Sequence, residues 1–248
     1  MFKKIKELFQ PKIEVFVRHC HFSDISVHKN RLPGFSRKKC YDNLLKTLDR
    51  KRVNLTFFLD TYHPSAETHF VLEQTEYPVI DIKEGTEAGS FLKLLAYVDS
   101  LKLSSQTIVY FLEDDYLHRE GWEEVLTEGL SIPGVSYATL FDHRDKYFHP
   151  NYITLKSQIF YTKSCHWRTT PSTTNTYAMR YETLKQDSAL HRQFSEGRKI
   201  SADHKKFLKL GEEGRLLISS LPGWATHVEG EYTSPCIDWE EILAIARK

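Results

Sequence analysis

The stretch that decides the fold is Thr107-Ile108-Val109-Tyr110-Phe111-Leu112-Glu113-Asp114-Asp115-Tyr116. Its apolar run is rich in β-branched and aromatic residues, which is typical of a strand buried on both faces. The run ends in consecutive acids, and carboxylates this close together repel one another and are costly to bury without partners. They fit the exposed end of a strand, where ligands bind in an open α/β sheet and where Mn²⁺ or Mg²⁺ would neutralise them. A solvated acidic turn before a helix is the alternative.

The composition is that of an ordinary globular protein. The chain has 248 residues, of which 40% are hydrophobic and 27% are charged. This length allows one large domain or two small ones. Lys+Arg 34 against Asp+Glu 33 leaves a net charge of +1, which is too weak a field to suggest a nucleic-acid partner.

The cysteines and the hydropathy predict a cytoplasmic protein. Its cysteines (Cys20, Cys40, Cys165 and Cys236) are scattered without a CxxC pair, which favours free thiols in a reducing compartment. No apolar run is long enough to span a bilayer, and no signal-peptide pattern is present. The basic amphipathic start, Met1 to Phe9, predicts either a surface helix or, at most, peripheral contact with an anionic membrane.

The first half of the chain alternates predicted strands and helices. The expected strands are 13–18, 53–60, 77–82 and the stretch from Thr107, and the expected helices are 36–49, a short one ending over 71–75, and 91–98. Such alternation predicts a mostly parallel sheet with helices on both faces.

The second half has a different pattern. It predicts a helix over 121–126, a strand over 135–141, short antiparallel strands between 152 and 180, helices over 181–194 and 201–210, and a last strand over 215–220. The predicted fold class is therefore α/β, with a central, mostly parallel mixed sheet flanked by helices and a small antiparallel hairpin or sheet.

Four acids fall at or just beyond the ends of predicted strands: Asp60, Glu113, Asp115 and Asp142. Because parallel strands end at one edge of a sheet, these carboxylates are expected to line one crevice. Gly85 and Gly89 precede a helix, where the backbone can approach a ligand closely and a phosphate can meet the helix N-terminus.

This order of features resembles the nucleotide-sugar glycosyltransferases of the GT-A fold, especially the family-2-like group. The resemblance covers about Ile13 to Asp238 and is more specific in the first half. It implies one domain over 1–248, with a nucleotide-sugar-binding half over about 11–140 and an acceptor-binding half over about 141–248. It also implies nucleotide-sugar contacts by Asp60, Gly85, Gly89, Glu113 and Asp114, and metal binding by Asp115. Glu113-Asp114-Asp115 stands where the family has Asp-x-Asp, with Glu in the first position.

The resemblance also implies roles for residues of the second half. His227 would be a late metal ligand, since neutral imidazole binds Mn²⁺-type ions; otherwise it caps a loop. Asp203 is the first choice for the catalytic base and Asp142 the second, although an Asp in a first helical turn is stabilising by itself. Trp167 and Arg168 would cover the acceptor, and a packed core Trp is the alternative.

The implied activity is a metal-dependent, inverting transfer of a sugar from a nucleotide-sugar donor to a hydroxyl of a glycan or lipid-linked acceptor. Two alternatives stay open. A nucleotidyltransferase usually carries a Gly-rich, Lys/Arg-containing signature after its first strand, where this chain reads Val17-Arg18-His19-Cys20-His21. A non-catalytic module that binds a sugar or a partner protein is the other, and the retained acids argue against it.

Overall fold

The computed structural model describes residues 12–23, 25–63 and 65–246. Its strands are β1 (Ile13–Cys20), β2 (Val53–Asp60), β3 (Val79–Ile82), β4 (Ile108–Glu113), β5 (Tyr116–His118), β6 (Val135–Thr139), β7 (Ile159–Tyr161), β8 (His166–Thr169), β9 (Tyr177–Arg180), β10 (Leu216–Leu221) and β11 (Ala225–His227). Its α-helices are α1 (Arg37–Thr47), α2 (Glu87–Ser100), α3 (Trp122–Gly129), α4 (Asp145–Phe148), α5 (Tyr181–Gln193), α6 (Asp203–Glu212) and α7 (Trp239–Ile245). Single 3₁₀ turns cover Phe70–Leu72, Pro150–Tyr152 and Gly230–Tyr232.

The main sheet has nine strands in the order β3-β2-β1-β4-β9-β6-β10-β8-β7. The first four are parallel to one another, β9 is antiparallel to both of its neighbours, and β6 and β10 are again parallel. At the far edge β8 and β7 form an antiparallel hairpin against β10. The carboxyl ends of β1, β2, β3, β4, β6 and β10 therefore share one edge of the sheet.

The alternation of side chains along β4 divides the core into two layers. Ile108, Tyr110 and Leu112 pack into the layer beneath α1 and α3, whereas Val109 and Phe111 pack into the layer beneath α2, α5 and α6. All five side chains are at most 2% exposed. This two-sided burial explains why the sequence of β4 is continuously apolar.

The predicted fold class is confirmed, including the antiparallel elements of the second half. The strand predicted over 135–141 ends earlier, at Thr139, and the helix expected near 71–75 is the 3₁₀ turn. The short pair β5 and β11 was not predicted, because strands of three residues show too little alternation to be detected.

The sequence predictions about free cysteines and membrane contact can be compared with the structure. All four cysteines are free thiols. Among residues 12–23, 25–63 and 65–246, no helix combines the length and apolarity needed to cross a bilayer. The basic segment from Met1 to Phe9, for which peripheral membrane contact was considered, lies outside the described residues.

Candidate functional site

The acidic turn after β4 lies at the carboxyl edge of the sheet and is neutralised by the protein itself. Each acid pairs with basic groups from other parts of the chain: Glu113 with Arg18, Asp114 with Arg37, and Asp115 with Arg31 and His227. The atoms of these pairs are 2.8 to 3.2 Å apart. Opposite charges at this distance offset the repulsion among neighbouring carboxylates.

These cations come from one segment that sequence reasoning did not single out. Arg18 is in β1, Arg31 lies in the loop that follows it, and Arg37 begins α1. Nζ of Lys29, in the same loop, lies 3.3 Å from Nε2 of His227 and 3.5 Å from a carboxylate oxygen of Glu229. The signal in the sequence is the density of basic residues between 29 and 39, of which only those from Ser36 onward fall in the predicted helix.

The three acids differ in proton affinity. Burial raises the pKa of Glu113 to about 7, although Arg18 opposes the rise. Burial likewise raises the pKa of Asp114 to about 6 against the effect of Arg37. Burial acts in the same direction on Asp115, but the positive groups around it, His227 foremost, hold its pKa well below the ordinary value. Asp115 is therefore the carboxylate of the three that stays charged to the lowest pH.

His227 reaches Asp115 because β11 pairs with β5 in a register that sets His227 opposite Tyr116. Its Nε2 lies 2.9 Å from Oδ2 of Asp115, and its Nδ1 lies 3.2 Å from Glu229. Burial would lower the pKa of His227, but the carboxylate of Asp115 outweighs this and raises it.

The donor atoms at this turn fit a divalent cation in part. Among the described residues, no group of three or more His, Cys, Asp or Glu side chains is arranged to hold a metal. However, Oδ1 of Asp115 is buried and accepts no hydrogen bond, and Oδ2 of Asp114 is buried beside Nε of Arg37 at 3.0 Å. Two carboxylate oxygens in this position suit a hard cation that completes its coordination with phosphate oxygens and water.

The carboxylate of Asp60, at the end of β2, is hydrogen-bonded to the loop after β3, which contains Gly85. The carboxylate of Asp60 accepts hydrogen bonds from the backbone N–H groups of Tyr62, Glu84 and Gly85 at 2.9 to 3.2 Å. Gly85 has φ +65, a conformation that favours glycine, and a Cβ there would also collide with the ring of Tyr62. The N–H of Gly89 donates to Oγ1 of Thr86, which caps α2. The nucleotide contacts expected of these residues stay predictions.

Asp203 lies at the first turn of α6 and belongs to a second group of charges beside the acidic turn. A continuous set of contacts links it to Glu113, through Lys206, Asn175, Glu87 and Arg18. Burial raises the pKa of Asp203 to about 6, although Lys206 opposes the rise. The N-cap position of α6 is Ala202, and the N–H of the preceding Ser201 donates to Oε2 of Glu87. Glu87 and Lys206 were not identified from the sequence.

Asp142 and Arg168 form a separate, buried ion pair. Nη2 of Arg168 donates to Oδ1 of Asp142 at 2.8 Å, and the hydroxyl of Tyr147 donates to Oδ2 at 2.6 Å. Trp167 is fully buried, and its indole N–H donates to Thr162. The base and acceptor roles expected of these residues stay predictions, and Trp167 would have to leave the core to contact a ligand.

Comparison with known proteins identifies the fold. No family model matches the chain, and no curated protein matches it. A solved structure of CMP:2-keto-3-deoxy-manno-octonic acid synthetase in complex with CTP matches with a TM-score of 0.52. The match covers 95% of this chain and 98% of the synthetase at 16% identity. At this identity the match shows that the two chains share a Rossmann-like α/β fold.

This match corrects the resemblance to GT-A glycosyltransferases. The glycosyltransferase activity, the Asp-x-Asp assignment and the manganese dependence implied by that resemblance are wrong, because the matching structure is a sugar-nucleotide synthetase. The error has a physical cause: a parallel sheet brings acids at strand ends to one edge in both classes of enzyme, so the order of strands and acids does not distinguish them.

Proposed function

We propose that this protein is a nucleotidyltransferase that joins the nucleoside monophosphate part of a nucleoside triphosphate to a sugar or sugar acid. The observation that carries the proposal is the match over nearly the whole length of both chains to a synthetase bound to CTP. A fold match at this identity does not transfer an activity by itself, so the proposal also needs a site of suitable chemistry.

The cations of β1 and of the segment that follows it would supply that chemistry. Arg18, Lys29, Arg31 and Arg37 converge at the carboxyl edge of β1 and β4. Guanidinium groups bind phosphate in bidentate geometry, and a triphosphate would compete with the acids for them. The argument against a nucleotidyltransferase was the missing Gly-rich basic signature after the first strand; here the basic groups come from separated positions and meet in space.

A divalent cation such as Mg²⁺ would be held by Oδ1 of Asp115, which accepts no hydrogen bond, and by Oδ2 of Asp114, which would exchange its contact with Arg37 for the cation. When bound, it would neutralise charge on the phosphates. Arg31 and Lys29 lie beside Asp115 and would contact the same phosphates.

The proposed transfer step balances as follows. The acceptor oxygen forms a bond to the α-phosphorus, and the bond from that phosphorus to the bridging oxygen breaks, so pyrophosphate leaves. The acceptor proton passes to Asp203, whose pKa of about 6 keeps it deprotonated at neutral pH. Donors preorganised around the leaving group lower the barrier electrostatically.

The test is binding followed by turnover. The protein is titrated with CTP, UTP, ATP and GTP, each with and without Mg²⁺, and its melting temperature is recorded. A triphosphate at about 100 times its Kd stabilises the folded state by roughly 2.7 kcal/mol, which is several degrees for a domain of this size. Pyrophosphate release is then measured with sugars and sugar acids as acceptors.

A matched pair of variants locates the site. Asp115→Asn should abolish the Mg²⁺-dependent shift, because it removes the charged ligand, whereas Glu120→Gln, an exposed acid near the same turn, should leave it intact. An unaltered shift in folded Asp115→Asn would contradict the site, and the absence of pyrophosphate release with every acceptor would contradict the activity.

One observation favours a second candidate, a binding module without catalysis. Every acid of the turn is already paired with a basic side chain. Ion pairs within the turn can compete with phosphate for the basic side chains, and they can also keep these side chains in place for phosphate binding. Binding of a nucleotide without pyrophosphate release would support this module.

A further inference from the structure

Lys206 carries a charge into the core without any exposed surface. Its Nζ donates to Oδ1 of Asn175 at 2.5 Å, to the hydroxyl of Tyr177 at 3.3 Å and to Oδ1 of Asp203 at 3.3 Å. An ammonium group has three N–H donors, and here each has an acceptor. The rings of Phe91, Tyr177 and Phe207 surround the nitrogen at 4.8 to 5.3 Å.

A line of buried hydrogen bonds continues from Lys206 to the far side of the core. The hydroxyl of Tyr177 lies 3.0 Å from Nδ1 of His191, and Nε2 of His191 lies 3.1 Å from the hydroxyl of Tyr137. The hydroxyl of Tyr137 is 2.6 Å from Oδ2 of Asp187, which Arg215 holds in a bidentate pair.

The donors in this line can be assigned from its end. The carboxylate of Asp187 only accepts, so the hydroxyl of Tyr137 donates to it. Nε2 of His191 must then carry the proton that Tyr137 accepts, which leaves Nδ1 to accept from Tyr177. The oxygen of Tyr177 is thereby free to accept from Lys206. His191 is neutral in this arrangement, in agreement with its pKa, which burial and the charge of Lys206 hold well below the ordinary value.

We infer that Lys206 is a positioning residue, held as an ammonium ion by this one-directional donor chain, and that it fixes the orientation and charge state of Asp203 beside the acidic turn. The catalytic use of Asp203 rests on the proposed function. The coupling between Lys206 and Asp203 does not.

The groups that face Asp203 determine the expected sign. Burial raises its pKa, Lys206 on its own helix lowers it, Glu87 of α2 raises it, and Arg18 of β1 lowers it. Burial lowers the pKa of Lys206, against Asp203 and Glu87. Glu113 of β4, Tyr177 of β9 and His191 of α5 are further titratable groups on the elements packed around them. Removing the charge of Lys206 should therefore raise the pKa of Asp203.

The experiment compares two neighbouring lysines. Lys206→Met keeps the length of the side chain among aromatic rings, and Lys205→Met changes an exposed lysine one residue away. The carboxyl carbon of Asp203, assigned with Asp203→Asn, is titrated by NMR in the ligand-free protein. Lys206→Met should raise the titration midpoint above that of the wild-type protein by about one pH unit or more, as expected for the loss of a nearby opposite charge. Lys205→Met should leave it unchanged.

An unchanged midpoint in folded Lys206→Met overturns the inference. Should that variant not fold, Lys206→Gln keeps N–H donors without the charge and should show the same rise. The wild-type protein gives an independent test, because ¹⁵N shifts should show His191 protonated at Nε2 alone; a proton on Nδ1 would break the donor chain and overturn its role.

These measurements need no nucleotide, so they separate the inference from the proposed function. If no acceptor releases pyrophosphate, the proposed function fails, while the titration still decides the coupling. If turnover is found, the acidic limb of its pH profile should move upward in Lys206→Met by the same amount as the NMR midpoint.

Discussion

Glu87 sits in the first turn of α2 and joins distant parts of the chain around the site. Its carboxylate accepts from Arg18 at 2.8 Å, from Asn175 at 2.7 Å and from the N–H of Ser201 at 2.7 Å. The sequence shows only an acid where a helix begins, which is favourable by itself. Its partners are 69 to 114 residues away along the chain, so only the fold reveals them.

We predict that Glu87→Gln destabilises the protein by about 3 kcal/mol, because it leaves the buried guanidinium of Arg18 without its nearest partner. Glu182→Gln alters an exposed acid in the first turn of α5 and serves as the control, with an expected change below about 0.5 kcal/mol. Urea denaturation at pH 7 measures both. A loss of unfolding free energy in Glu87→Gln no larger than in the control would contradict the stabilising role of the Glu87 contacts.

The same residue predicts a pH dependence. Burial works to raise the pKa of Glu87, but Arg18 and the hydrogen bonds lower it to about 2, from 4.5. A carboxyl with a lowered pKa in the folded state stabilises above its unfolded pKa, and this contribution is lost as pH falls toward 2. The difference in unfolding free energy between wild type and Glu87→Gln should therefore shrink between about pH 5 and pH 2. A difference that stays constant over this range would contradict the assignment.

Among the elements, α3 packs against the distant hairpin strand β8 through a single glycine. A Cβ on Gly129 would lie 2.6 Å from the buried ring of Trp167. The ring is fully buried and cannot move aside without disturbing the core. The absence of a side chain at Gly129 thus sets how closely α3 approaches the sheet.

We predict that Gly129→Ala destabilises the protein by about 1–3 kcal/mol through overpacking. Gly211→Ala is the matched control, since Gly211 is also helical and a Cβ there would meet nothing within 4 Å. This control should stabilise by up to about 1 kcal/mol, because alanine is the better helix former. Thermal unfolding of the two variants should shift in opposite directions, and a shared direction would contradict the packing argument.

At the scale of the whole molecule, the two halves of the chain interleave in one sheet. Strand β9, from the second half, lies between β4 and β6 of the first half. Tyr177, Ala178 and Met179 of β9 have no exposed surface. Removing β9 would leave β4 and β6 each without a hydrogen-bonded neighbour on one side, in the middle of the sheet.

We predict that a fragment of residues 1–140 does not fold on its own, since it lacks β9 and the side chains of α5, α6 and β10 that cover its apolar layer. Circular dichroism and urea titration should show no cooperative unfolding for the fragment. Co-expression with residues 141–248 should restore cooperative unfolding. Cooperative unfolding of the isolated fragment would show that β9 is dispensable to the first half.

By itself the sequence determined the sheet strands longer than about four residues, the main helices, the α/β class and the acids at the strand ends, because burial on one or two faces imposes local periodicities. It also led to the wrong enzyme class, since the order of acids along the strands is shared by different chemistries on related folds.

Only the tertiary structure decided which charges meet. Arg31 and His227 reach Asp115 from positions 84 and 112 residues away. The donor chain from Lys206 to Asp187 joins α6, β9, α5 and β6. Electrostatic and hydrogen-bond partners depend on distance in space, and strand order and register set that distance. No periodicity in the chain records it.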